Sequence, residues 1–450
     1  MSAPVATANS KASSGPLERD ARLVNARDHQ IRPGEIAIGV IIGRTSEFFD
    51  FFVYAIASVL VFPQLVFPYA DALTGTLYSF AIFAVAFAAR PFGTLLFMWI
   101  DRRHGRGVKL TIALFLLGGS TMAIALLPSY NQIGAAAGWL LALFRFGQGL
   151  ALGGAWDGLP SLLSLNAPKE KRGWYAMIPQ LGAPLGLIVA AGLFAYFLIL
   201  LSPQDFIAWG WRYPFFVALA INVVALFARL RIVATPEFTR LFESRELQPS
   251  PAFRTLFGEW RTILLGAIAP LASFALFHLV TVFPLSWVTL SGQNTPERFL
   301  LIEAGGAVLG LLAMIASGLI ADRIGRRAVL GVSAVLIGVY SGFAPQLLNA
   351  GQGGEVLYML SGFVLLGLAF GQSSGVVNDR FSAQTRYTGA AIVANSAWFL
   401  GAGFAPLVAL FLASRFGLWS VGLYLLSGVA CTLLALLINK EWASRDASSA

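Results

Sequence analysis

Twelve apolar runs of about twenty residues or more punctuate this chain, at 36–62, 74–100, 108–127, 135–164, 174–201, 211–233, 261–290, 298–321, 328–348, 355–378, 388–413 and 417–438. Each is long enough to cross a hydrocarbon layer, which needs roughly 20 residues of helix. Inside lipid every backbone N–H and C=O must be bonded within the protein, so only helices or a closed barrel can span. A barrel strand needs only about 9–11 residues, so the runs read as helices. The expected fold is an all-α integral membrane protein with twelve transmembrane helices. The composition agrees: 57% of the 450 residues are hydrophobic and 12% charged, where a soluble domain carries about 25% charged residues.

A net charge of +9 on a soluble chain would suggest nucleic acid. Here topology accounts for it. All but six of the 31 lysines and arginines fall in the tails or in loops on one side of the twelve runs. Arg212, Arg298 and Arg415 lie on the other side, and Arg44, Arg90 and Arg145 lie within spans. Basic loops stay on the cytoplasmic side, so both termini are expected there and the lipid bilayer, not nucleic acid, is the partner. Residues 1–34 lack an apolar core and read as a disordered cytoplasmic tail; 439–450 form a second tail. The single cysteine, Cys431, excludes an intrachain disulfide. No phosphate loop, HExxH, CxxC or nucleophile elbow occurs, and the longest polar segment, 234–260, is too short for an enzyme domain. No catalytic residue, cofactor or metal site is expected, and monomer is the default state.

Short strings recur about 222 residues apart, as expected of parallel repeats in a transporter. DRRHGR at 101–106 returns as DRIGRR at 322–327, FGQ at 146–148 as FGQ at 370–372, and LGAPLG around Pro184 as LGAGFAPL around Pro406. The chain therefore reads as two pseudo-symmetric six-helix bundles, 35–233 and 261–438, joined by a cytoplasmic linker at 234–260.

These residues carry a family resemblance. Gly318-Leu-Ile-Ala-Asp322-Arg323-Ile-Gly325-Arg326-Arg327 and Arg145-Phe-Gly-Gln148-Gly149 resemble the loop and helix-4 signatures of the major facilitator superfamily. Gly43-x-x-x-Glu47-Phe-Phe-Asp50-Phe51, Pro179-Gln-Leu-Gly-Ala-Pro-Leu-Gly186, Trp209-Gly-Trp-Arg212, Thr235-Pro-Glu-Phe238 and Arg386-Tyr-Thr-Gly389 are similar to its metabolite:proton symporter branch, which includes citrate, ketoglutarate, shikimate and proline/betaine carriers. The resemblance implies a secondary transporter in a bacterial-type inner membrane, moving a small-molecule substrate with protons by alternating access. The chain also departs from the pattern. Ala155 stands where the branch carries Glu, in Gly153-Gly-Ala155-Trp156-Asp157-Gly158, and Leu165 replaces an acid before the loop 4–5 proline. The first loop has an extra residue before Gly105, whereas the second half keeps its acid as Asp379.

An ionisable group at bilayer depth costs about 2.5–3.5 kcal/mol and normally faces a cavity or a partner. Arg44, Glu47, Asp50 and Tyr54 recur along helix 1 as a polar stripe expected to face the centre between the halves. Glu47 and Asp50 are the expected proton carriers, the alternative being a static Arg44–Glu47 pair that ties helix 1 to its neighbours. Arg145, Gln148 and Trp156 share a face of helix 4 and suit a carboxylate-bearing substrate; Arg145 could instead neutralise Glu47 or Asp50. Arg90 precedes Pro91 and is expected either to serve substrate or to bond carbonyls freed by the proline. His278 is read as a proton site or substrate lining, or else as hydrogen-bonded packing, Asn395 as polar lining, and Glu303 as snorkelling or pairing with Arg298. Asp101, Arg102, Arg106 and Asp157 in the first half, with Asp322, Arg323, Arg326, Asp379 and Arg386 in the second, form the expected cytoplasmic gate. Two other functions remain open: a proton-coupled efflux antiporter, since Gly182-Ala-Pro184-Leu-Gly186 faintly resembles an antiporter motif, and a non-transporting sensor, suggested by Ala155 and Leu165.

Overall fold

Helix dominates because the apolar runs bond their own backbones. The computed structural model describes residues 33–155, 163, 167–233, 249–374, 380–382 and 384–449. Twelve transmembrane helices follow one another: α1 Pro33–Leu60, α2 Ala72–His104, α3 Arg106–Ala125, α4 Ala136–Gly154, α5 Arg172–Leu200, α6 Tyr213–Val233, α7 Leu271–Ser291, α8 Pro296–Ile324, α9 Arg326–Leu347, α10 Gly351–Phe370, α11 Arg386–Phe416 and α12 Trp419–Ser449. Ten are long and apolar enough to span by composition alone. The other two are α1, which carries Arg44, Glu47 and Asp50, and α4, whose described part ends at Gly154.

The run at 261–290 does not form one helix. It divides into Trp260–Ile268, Leu271–Thr281 and Phe283–Ser291. The breaks fall at Pro270 and just before Pro284, because proline has no N–H to donate and its ring collides with the preceding turn. α11 is also irregular, widening into a π turn over Trp398–Gly403.

The repeat seen in the sequence has a structural counterpart. α2 and α8 each end at a glycine with positive φ, Gly105 at 84° and Gly325 at 89°. Each glycine N–H closes back on the residue four before it, Asp101 or Ala321, and the next helix starts at once. A side chain would be strained at that φ, which accounts for glycine in both DRRHGR and DRIGRR.

Within the first bundle α2 and α4 run nearly backbone to backbone. A Cβ on Gly149 would strike the carbonyl of Ala86, and one on Gly153 the carbonyl of Arg90. This is the small-xxx-small spacing that lets membrane helices approach closely. Between the bundles, α5 packs along α8 and α2 along α11. The centre is filled with rings: Phe52 of α1 stacks on Phe277 of α7 at 5.8 Å, Phe277 lies 5.0 Å from Phe370 of α10, and Phe274 meets Trp398 of α11 edge-on at 4.7 Å.

Candidate functional site

The interior of α1 divides its polar residues between two places. Arg44 and Glu47 line a narrow cavity between the halves with Phe48, Phe51, Arg90, Leu152 and Trp398. As it stands it has room for about one water. Asp50 points elsewhere, into the first bundle. The expected single stripe facing the centre is therefore corrected. Six residues of α-helix turn through about 600°, so Asp50 stands roughly 120° round the axis from Arg44.

Arg44 Nη1 donates to Glu47 Oε2 at 2.5 Å. Both residues are on α1. The Arg44 guanidinium also lies over the Phe48 ring at 5.1 Å. Opposite, Arg90 Nε donates to Asn395 Oδ1 at 3.0 Å, across the boundary between the halves. Asn395 in turn donates to Thr94 Oγ1 at 2.8 Å and to the Ala391 carbonyl. Arg90 stacks over Trp398 at 5.5 Å. Its hydrogen bond goes to a side chain of the other half, not to a carbonyl freed by Pro91.

Asp50 is 2% exposed. Thr121 Oγ1 of α3 lies 2.8 Å from each of its oxygens, Asn222 Nδ2 of α6 donates at 3.1 Å and Gln148 Nε2 of α4 donates at 3.2 Å. Ser46 donates to Asn222 Oδ1 at 2.5 Å and so fixes that amide. Arg145 is 1% exposed and pairs directly with no carboxylate among the described residues. Its Nη1 donates to Gln148 Oε1 at 2.9 Å, its Nε to the Phe83 carbonyl at 3.3 Å, and its guanidinium sits 3.9 Å over the Tyr54 ring. Gln148 thus bridges Arg145 and Asp50, with one end of its amide on each, and its Nε2 also donates to Thr121 Oγ1 at 2.8 Å. Arg145 Nη2 has no partner.

His278 lies in a cage of rings, 5.3 Å from Phe51, 5.5 Å from Phe83, 5.8 Å from Phe87 and 5.3 Å from Phe277. Neither ring nitrogen has a hydrogen-bond partner among the described residues, and aromatic packing stands in place of the expected hydrogen bond. Glu303 is fully buried and neither oxygen has a hydrogen-bond partner among the described residues; it does not snorkel and does not pair with Arg298.

At the end that carries the basic loops, Asp322 Oδ1 accepts the backbone N–H groups of Gly173 and Trp174 at 2.7 and 3.1 Å, capping the first turn of α5 from the other half. Gln372 Nε2 donates to the Gly173 carbonyl and Ser374 Oγ to that of Ala176. Arg106 and Lys109 both approach Asp101, at 3.3 and 3.5 Å. Lys109 Nζ also donates to the Tyr387 hydroxyl at 3.0 Å, and Arg106 stacks over that ring at 4.6 Å. Arg326 Nη2 bonds the carbonyls of Gln372 and Ser374. Arg102 and Arg323 are exposed. Arg386 opens α11. Trp156, Asp157 and Asp379 lie outside the described residues.

Sequence reasoning missed Thr121, Asn222 and Ser46 around Asp50, Trp398 on the cavity, and Lys109 with Tyr387 at the loop end. Asn222 had a signal: it is the one side-chain amide in the otherwise apolar α6 run YPFFVALAINVVALFA, and buried amides in membrane helices bond across helices.

The sugar (and other) transporter family profile matches residues 36–255. An inner membrane metabolite transport protein of Escherichia coli is 39% identical over 414 residues, covering 90% of this chain and 94% of that protein. This chain belongs to the major facilitator superfamily. The transporter is also 30% identical to the shikimate transporter of Escherichia coli, over 91% of this chain and 95% of that one, and 28% identical to the proline/betaine transporter of the same organism, over 91% and 84%. Among solved structures, that of a D-xylose–proton symporter shares the fold, with a TM-score of 0.69, 16% identity, and coverage of 90% and 96%. The transporter is therefore an integral membrane carrier of small molecules, with two six-helix bundles around a central cavity, and not an enzyme.

Proposed function

We propose that this facilitator takes up a small organic acid or zwitterion together with protons, by rocking its two bundles around the central cavity. Its divisions are the cytoplasmic tail 1–34, the bundles 35–233 and 261–438, the linker 234–260 and the tail 439–450. Both tails face the cytoplasm, and the carrier sits as a monomer in a bacterial inner membrane. The observation that carries this reading is the arrangement around Asp50. A carboxyl buried among Thr121, Asn222 and Gln148 is held one amide away from an arginine. One helical turn away, Glu47 and Arg44 line the cavity. A proton arriving at Asp50 changes its charge beside Arg145. The relaxation of that pair through Gln148 is transmitted along α1 and α4 to the cavity wall. The cross-half bonds of Asp322 and Lys109 close the cytoplasmic end and must break in each cycle.

Reconstitution into proteoliposomes tests this. Substrate counterflow separates a carrier from a sensor, which binds without exchange. An imposed inward proton gradient then drives accumulation by a symporter and depletion by an antiporter. Asp50→Asn is expected to retain counterflow and lose gradient-driven accumulation; wild-type accumulation in that variant removes Asp50 from the coupling.

A further inference from the structure

Donors are left over on both guanidiniums of the cavity: Arg44 Nε has no partner among the described residues, and Arg90 has its two terminal nitrogens to spare. Arg90 uses only its Nε, for Asn395. Its two terminal nitrogens make no hydrogen bond to the described residues, yet the side chain lines the cavity. They present a planar two-pronged donor, the geometry that grips a carboxylate bidentately. The second guanidinium, Arg44, is held by Glu47 at 2.5 Å. A second carboxylate arriving there would have to displace Glu47 or lie against its negative charge.

A cationic group is no better served. All three rings on the cavity already have a guanidinium group near them, Arg44 over Phe48 at 5.1 Å, Arg90 over Trp398 at 5.5 Å and Arg145 over Phe51 at 5.9 Å. A substrate ammonium would be a third cation beside two guanidiniums and a single, already engaged carboxylate. Arg44, Arg90 and Glu47 together leave one positive charge. Behind Phe51, Arg145 and Asp50 are linked through Gln148 and offset each other.

We propose that the cavity selects an organic monocarboxylate. Its carboxylate is held by the two terminal nitrogens of Arg90, and its uncharged body lies between Trp398, Phe51 and Leu152. This deepens the transport reading and rests on it for the cavity being the substrate site. A carboxylate on Arg90 also loads the Arg90–Asn395 bond, which crosses from one half to the other, so substrate would be felt by both bundles at once. The cavity as it stands has room for only about one water, so the acid is admitted when the bundles part.

Purified full-length protein is screened by thermal shift against compact monocarboxylates (3-hydroxybutyrate, cyclohexanecarboxylate, benzoate), the dicarboxylates succinate and malate, the zwitterions proline and glycine betaine, and neutral D-xylose. The same probes are then run in proteoliposome counterflow. A stabilising shift confined to monocarboxylates supports the assignment. An equal or larger shift with a dicarboxylate, a zwitterion or the sugar overturns it, as does no shift with any monocarboxylate. Arg90→Lys keeps the charge but loses the planar fork, and is expected to raise the midpoint concentration about tenfold; an unchanged midpoint overturns the role of Arg90. The wild-type panel decides the question if that variant does not fold. Monocarboxylate shifts without counterflow support the cavity assignment and count against transport instead.

Discussion

Glu303 and Asp50 are both buried carboxyls in membrane helices, and their surroundings differ completely. Asp50 is met by Thr121, Asn222 and Gln148, whereas Glu303 has no hydrogen-bond donor among the described residues. A group so placed tolerates a neutral replacement of the same shape and not a fixed charge. Glu303→Gln is expected to leave the melting temperature of the detergent-purified protein within a few degrees of wild type. Glu303→Lys puts an unpaired cation inside the helix bundle at a cost of about 2.5–3.5 kcal/mol or more, and is expected to yield no monodisperse peak in fluorescence-detected size exclusion. His278 belongs to the same scale. Its ring is packed by four phenylalanines, so it contributes shape to the centre. Whether a polar residue in an apolar run is a site, a spacer or a filler was not legible in the run itself. The run states that Glu303 has apolar neighbours in sequence and that Glu47 sits among Arg44, Thr45, Ser46 and Asp50, but not what either side chain meets across helices.

At the scale of elements, α2 and α4 are locked by glycine. Gly149 and Gly153 on α4 and Gly93 on α2 leave no room for a Cβ between the two backbones. Gly153→Val forces the helices apart at the level of Arg90, whose carbonyl the new side chain would strike. The expected result is loss of most folded protein, read by size exclusion. Should a folded fraction survive, its counterflow is expected to be impaired, because Arg90 moves relative to Asn395. The glycines were legible as a Gly-x-x-x-Gly pair within helix 4, but their partner was not, since helix contacts are not written in spacing. α7 shows the converse. Its apolar run predicts one helix, and Pro270 and Pro284 divide it; both prolines were visible, and the apolar continuity outweighed them in the reading.

The whole molecule is two bundles held together at the loop end by a few cross-half bonds. Asp322 of the second half caps the first turn of α5 in the first half through two backbone N–H groups. An anionic acceptor at a helix N-terminus gains from the helix dipole as well as from the bonds. Asp322→Ala removes both, and hydrogen–deuterium exchange of the peptide containing Gly173 and Trp174 is expected to speed up. Unchanged protection there would mean that the cap does not close this end. Lys109 with Tyr387 forms a second latch of the same kind, 278 residues apart in sequence. Such latches need to be modest, since the cycle must open them.

The sequence by itself determined that the chain spans a membrane twelve times as helices, that it is duplicated, and which residues carry charge at bilayer depth. Hydrocarbon permits only helices or a closed barrel, and a run of about twenty residues, a local property, is too long for a barrel strand. Only the tertiary structure decided where those charges go. Asp50 turns into the first bundle and not toward the cavity, Arg145 reaches it only through Gln148, and Arg90 meets Asn395 from the other half. The reason is angular: a few residues of helix rotate a side chain by most of a turn, and the neighbour it then meets comes from a distant part of the chain.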